Sequence, residues 1–115
     1  MKQAVFHVDE LEKWALALTN LRNMVDYYRQ SGETYRIEAV ATSAAVRAYA
    51  DGQDTRPLRE MAALSADGVR FVACHNALNA QRLSPQALAS FVQVVPAGVV
   101  ELVDRQADGY AYLRP

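Results

Sequence analysis

Only one cysteine, Cys74, stands in the 115 residues, so no internal disulfide can form and the disulfide-stapled secreted scaffolds are excluded. Glycine is scarce, with 5 residues, and none falls in a G-x-G-x-x-G or Walker-type cluster. The turn after the first apolar run is Asp9-Glu10, without glycine, which argues against a dinucleotide or ATP cofactor. No serine lies in a G-x-S-x-G elbow, so a Ser-His-Asp hydrolase is not signalled. There are 2 histidines, His7 and His75. With Cys74 and Asp9 they supply ligand types for zinc but no paired spacing such as C-x-x-C or H-x-x-x-H, and neither metal nor cofactor is expected. Charge of one sign is also lacking. The 12 basic and 13 acidic residues leave a formal charge of -1 and are scattered, the opposite of a nucleic-acid footprint. No apolar run approaches the roughly 20 residues that span a bilayer. Met1–Ala4 leads into Val5 without the apolar stretch of a signal peptide, so the expected setting is cytoplasmic, with no membrane or nucleic-acid partner. Lysine is confined to Lys2 and Lys13. The remaining cations are arginine, the better partner for carboxylates and interfaces, which leans towards self-association.

What is present is a 51% hydrophobic chain, long enough to bury roughly two thirds of its unfolded surface without metal or disulfide. It contains no repeat or linker, and a single domain over residues 1–115 is expected. Ala4–Val8 reads as a buried strand. Asp9 and Glu12 have capping-box spacing, and Leu11, Trp14, Ala15, Leu18, Leu21, Val25 and Tyr28 form the apolar stripe of a helix closed near Gly32. Trp14 and Tyr28 on that stripe read as core. Tyr35–Ala41 is a second strand, with Thr42-Ser43 placed to cap a short Ala-rich helix carrying Val46 and Tyr49. Pro57 suits the first turn of a helix running to Asp67-Gly68. Val69–Ala73 is a third strand entering Cys74-His75-Asn76, followed by a short helix and a Ser84-Pro85 turn. Phe91–Val95 is the fourth strand. Val99, Leu102, Val103 and Gln106 then mark a helix face before a last strand, Tyr110–Leu113, whose tyrosines Tyr110 and Tyr112 are placed to cover a sheet edge or meet another subunit. Strand and helix thus alternate about five times, which implies an α/β fold with a mainly parallel sheet covered by helices on both faces.

Such sheets bind ligands beyond the carboxyl ends of their strands. The residues at those ends are His7 and Asp9, Thr42 and Ser43, Cys74, His75 and Asn76, and Pro96 with Gly98. Cys74, between a strand end and a helix start, is the leading candidate, since a helix N-terminus favours thiolate and thiolate is the nucleophile. The competing reading is a small apolar core filler. His75 could exchange protons, although sequence neighbours usually point apart. His7 either reaches the same edge or is a hydrogen-bonded core residue. Asn76 and Ser43 could orient an anion or simply cap the helices they precede.

Four segments in this order resemble the DsrE/DsrF-like family of small sulfur-relay-type proteins: Val5–Val8 (VFHV), Ala17–Asn23 (ALTNLRN), Gly68–Asn76 (GVRFVACHN) and Val95–Val103 (VPAGVVELV). The resemblance spans nearly the whole chain. It implies a three-layer α/β/α sandwich with a five-stranded parallel sheet and assembly into trimers or hexamers. It also implies that Cys74, which matches the family's cysteine after the third strand, accepts sulfane sulfur as a persulfide from a donor protein and passes it to an acceptor thiol. No second cysteine is present to resolve a disulfide, so donor and acceptor must be external. The alternative is a non-catalytic homo-oligomeric module of the same fold that binds a small ligand, with Cys74 merely lining the pocket.

Overall fold

The computed structural model describes residues 1–52 and 54–115. Five strands, β1 (Lys2–Val8), β2 (Tyr35–Ala41), β3 (Arg70–Cys74), β4 (Val92–Val95) and β5 (Ala111–Leu113), form one sheet in the order β4-β3-β2-β1-β5. Every pairing is parallel. The helices are α1 (Trp14–Ser31), α2 (Arg56–Ala66), α3 (His75–Ala80) and α4 (Gly98–Ala107), with a 3-10 helix at Ser43–Tyr49. The strands fall where alternation and apolar content placed them, β2 with the expected bounds. β3 starts later than expected and extends to include Cys74.

Parallel strands are buried on both faces, so both sets of alternating side chains must be apolar. In β1, Ala4, Phe6 and Val8 join Ile37, Ala39, Ala41, Phe71 and Ala73 beneath α1, α2, α3 and the 3-10 helix. Trp14 locks this layer by packing on Tyr49 and Phe71 and donating from Nε1 to the Ala45 carbonyl at 2.9 Å. Val5, Val40, Val72 and Val95 face the other way and meet Leu102 of α4. The division has a topological cause. Right-handed crossovers stepping one way along the sheet, β1 to β4, deposit their helices on one face, and only the crossover that runs back to β5 leaves its helix on the other. α4 therefore holds its layer almost alone. Burial of Leu102, 6% exposed, contributes about 2 kcal/mol.

Local readings are corrected at four places. The apolar face of α4 is rotated: Gly98 and Leu102 point in, whereas Val99, Val100 and Val103 are 67%, 55% and 63% exposed and Gln106 is exposed as well. Gly98 lacks a Cβ and can approach the sheet as no valine can, so it sets the rotation. In α1, Ala17 is buried while Ala15 and Leu11 are exposed, because Leu11–Lys13 form a 3-10 turn that shifts the helical phase. The Asp9/Glu12 capping box does not form: Glu10 occupies the cap position without a side-chain bond, and Asp9 instead accepts from Arg114 at 2.6 Å. Thr42 likewise occupies the cap position before Ser43–Tyr49 without a side-chain capping bond. Gly32, at φ 75°, closes α1 as expected.

Candidate functional site

Cys74 ends β3 and is the N-cap residue of α3. Its neighbour across the carboxyl edge is the start of α4. A side chain on Gly98 would begin 3.1 Å from Cys74 Cβ, 3.6 Å from Cys74 Sγ and 2.7 Å from Thr42 Cγ2. Cys74, Thr42 and Gly98 thus form one tight cluster that exists only because position 98 is glycine. The sulfur lies beside the first turn of a ten-residue helix, whose leading amide N–H groups have no intrahelical partner.

His7 adjoins this cluster. The side chain sits one residue before the end of β1, on the face that α4 covers, and its Nε2 is 2.9 Å from Thr42 Oγ1. Its Nδ1 is 2.7 Å from the hydroxyl of Tyr112 on β5, whose ring tilts against the imidazole. The ring is therefore fixed from both sides. Burial lowers the pKa of His7 below its ordinary value; Asp9 opposes the shift and Arg114 reinforces it. The resulting species near pH 7 is a neutral imidazole, one nitrogen donating and the other accepting in its two hydroxyl contacts.

Cys74 and His7 are thus linked only through Thr42, whose methyl adjoins the Gly98–Cys74 contact and whose hydroxyl meets His7 Nε2. His75 opens α3, and its Nδ1 is 3.4 Å from Asn79 Nδ2 along the same helix. Asn76 is exposed within α3 and caps nothing, because Cys74 already holds the cap position. Ser43 is exposed at φ 50°, a left-handed conformation at the first turn of its 3-10 helix. Thr42 and Tyr112 were legible as a cap and an edge tyrosine, but not as partners of His7. Only the pairing of β1 with β5 unites residues 105 positions apart.

Cys74 is 8% exposed. A cavity of about 630 Å³ lies between α1 and α2, and its arginines are already engaged: Arg22 by Asp26 and Asp67, Arg56 by Glu60, Arg59 by Asp54. Among the described residues, no three His, Cys, Asp or Glu side chains gather as a metal site, and no helix is long and apolar enough to cross a membrane.

No curated protein matches the chain. Among solved structures it is similar to MTH1491 of Methanobacterium thermoautotrophicum, a protein of unknown function, with 35% identity, complete coverage of both chains (100% of each) and a TM-score of 0.88. The ychN protein of E. coli has the same fold at 20% identity, 100% coverage of both chains and TM-score 0.76. BT1422 of Bacteroides thetaiotaomicron, also of unknown function, shares it at 14% identity and TM-score 0.69, with 97% of this chain and 93% of that one covered. Residues 7–115 match the DsrE/DsrF-like family, and with a relative this similar along its full length the chain belongs to that family.

Proposed function

We propose that the protein is a sulfur carrier in which Cys74 holds sulfane sulfur as a persulfide. The reading is supported by membership of a family related to sulfur-relay proteins. The observation that carries it is the position of Cys74 Sγ beside Gly98 at the start of α4, where unpaired amide N–H groups can take up negative charge on sulfur. In the loading step, the Cys74 thiolate attacks the outer sulfur of a donor persulfide. The donor S–S bond breaks, the donor thiolate departs with the electron pair, and the new S–S bond forms on Cys74. An acceptor thiolate reverses the sequence, taking the outer sulfur and returning Cys74 as thiolate. In this reading neutral His7 takes up, through the Thr42 hydroxyl or water, the proton that Cys74 must lose before attack, with Tyr112 and Thr42 fixing its ring.

Incubation with a small-molecule persulfide donor tests this. Intact mass should rise by one sulfur atom in the wild type, fall again on addition of an acceptor thiol, and stay unchanged in Cys74→Ser. A wild-type thiol that takes up no sulfur refutes the proposal. The low exposure of Cys74 and its packing within the apolar core favour the second reading, a non-catalytic module of the same fold. In that case Cys74→Ala leaves partner or ligand binding unchanged. Association into trimers or hexamers belongs to both readings, and Val99, Val100 and Val103 on α4 supply exposed apolar surface for it. Analytical ultracentrifugation decides the assembly.

A further inference from the structure

The face of the sheet beneath α4 carries charges that the sulfur chemistry does not use. Glu38, in the middle of β2, is 2% exposed. One of its oxygens, Oε1, forms an ion pair with Arg70 Nη1 of β3 at 3.0 Å. The other, Oε2, is buried with no hydrogen-bond partner, and the same is true of Oε2 on Glu101 in the first turn of α4. Both carboxyl groups flank the same Arg70 Nη1, Glu38 Oε1 at 3.0 Å and Glu101 Oε2 at 3.9 Å. Arg70 and Arg105 approach Glu101 Oε2 only to 3.9 Å each, too far for a hydrogen bond. Two buried carboxylates this close to one arginine, each with an unpaired oxygen, repel one another, and Arg105 Nε, also buried and unpaired, bonds neither oxygen. One proton between them turns the repulsion into a short charge-assisted bond and satisfies both oxygens.

We propose that Glu38 and Glu101 share one proton, and that this proton clamps α4 to the sheet over Cys74. Arg70 faces Glu38 from β3 and is itself held by Gln93 of β4 at 2.8 Å. Arg105 of α4 binds Asp108 at 3.1 Å and lies over the ring of Tyr110. Arg36 shares the Glu38 strand and face, and the hydroxyl of Tyr49, from the opposite layer, donates to strand carbonyls and stays protonated. Arg70 and Arg105 already balance Glu38 and Glu101 in charge, Asp108 being largely solvated, so the shared proton answers the two unpaired oxygens rather than net charge. Burial and the neighbouring Glu101 raise the Glu38 pKa to about 8, which places release of that proton near neutral pH. Because α4 has little apolar anchorage besides Leu102 and Gly98, it is the element most dependent on this contact. Its first residue is also the one packed on Cys74.

The clamp stands whether or not Cys74 carries sulfur, and its test reads α4 directly. The closed form binds one more proton than the open form at pH values between the ordinary carboxyl value and that of the pair. The opening constant of the α4 amides in hydrogen exchange, corrected for intrinsic exchange, should therefore rise about tenfold per pH unit between pH 5 and 8 and level off above. Glu101→Gln puts an amide donor where the proton sat, and the rise should disappear. Reactivity of Cys74 towards a disulfide reagent, divided by that of a free thiol, should follow the same slope in the wild type. An opening constant that is flat in the wild type, or equally steep in Glu101→Gln, overturns the proposal. Should the variant fail to fold, carboxyl-carbon NMR of the wild type decides instead: a Glu38/Glu101 pair showing no titration midpoint above 7 overturns it as well.

Discussion

Gly98→Ala is the substitution that most directly tests whether α4 is set by close approach to the carboxyl edge. At an exposed helix position alanine would add stability, up to about 1 kcal/mol over glycine. Here the added methyl would lie 2.7 Å from Thr42 Cγ2 and 3.1 Å from Cys74 Cβ, separations that packed carbon atoms do not tolerate. Thr42 cannot swing aside freely, because its Oγ1 is held by His7 at 2.9 Å. Either the start of α4 lifts or the His7 bond breaks. Overpacking of this kind costs about 1–3 kcal/mol, so from the middle of that range the net loss is about 1 kcal/mol after the propensity gain. With a urea m value of about 1.5 kcal/mol/M, the unfolding midpoint should fall by about 0.7 M. Thr42→Ser removes only the offending Cγ2 and keeps the hydroxyl. In that background Gly98→Ala should recover about 1 kcal/mol as coupling energy. A single variant as stable as the wild type, or a strictly additive cycle, refutes the packing argument.

Other expectations are read by similar means. His7 holds its proton less readily folded than unfolded, so its contribution to stability is present above about pH 6.5 and is lost as pH falls through the lower folded value. His7→Gln should flatten the acid side of the stability curve, measured by urea midpoints across pH, and an unchanged slope contradicts the burial assigned to the ring. The same variant should slow persulfide loading of Cys74 while leaving the final stoichiometry intact. Glu38 works in the opposite sense: its raised pKa gives stability that is full below about pH 4.5 and is lost as pH rises through about 8. Glu101→Gln should therefore flatten the alkaline side. Tyr49→Phe removes a buried hydroxyl that bonds the Val72 and Ala39 carbonyls at 3.1 and 3.4 Å. A loss of about 1 kcal/mol is expected, and no change would mean that those carbonyls do not need it.

The strands were legible because a parallel sheet buried on both faces demands continuous apolar runs, and VFHV and RFVAC have few other uses. Helix phase was less so. The α4 stripe looked like Val99 and Val103 because valine is more apolar than glycine, yet the close approach of Gly98 decided the rotation, and nothing local distinguishes a packing glycine from a spacer. Capping was misread at Asp9 and Thr42 for a shared reason: short polar side chains at strand ends can serve the helix ahead or a distant strand, and both chose the distant partner. Cys74 and His7 were visible as residues at strand ends. Their convergence, and the roles of Thr42 and Tyr112 as props for the imidazole, required knowing that β5 returns beside β1. The buried Glu38 was hidden for the plainest reason, since a glutamate within a seven-residue strand ordinarily marks the solvent side.

The return of β5 also imposes an order of events on the molecule. Strands β1 to β4 can pair successively with nearest neighbours, but the imidazole of His7 waits for a tyrosine that arrives 105 residues later. The Arg114–Asp9 bridge at 2.6 Å fastens the same seam. Its short last strand makes that seam the natural first place to fray. A chain whose β5 has peeled away would keep most of its core while losing one of the two bonds that orient the histidine, so the proposed sulfur loading would slow before the fold is lost.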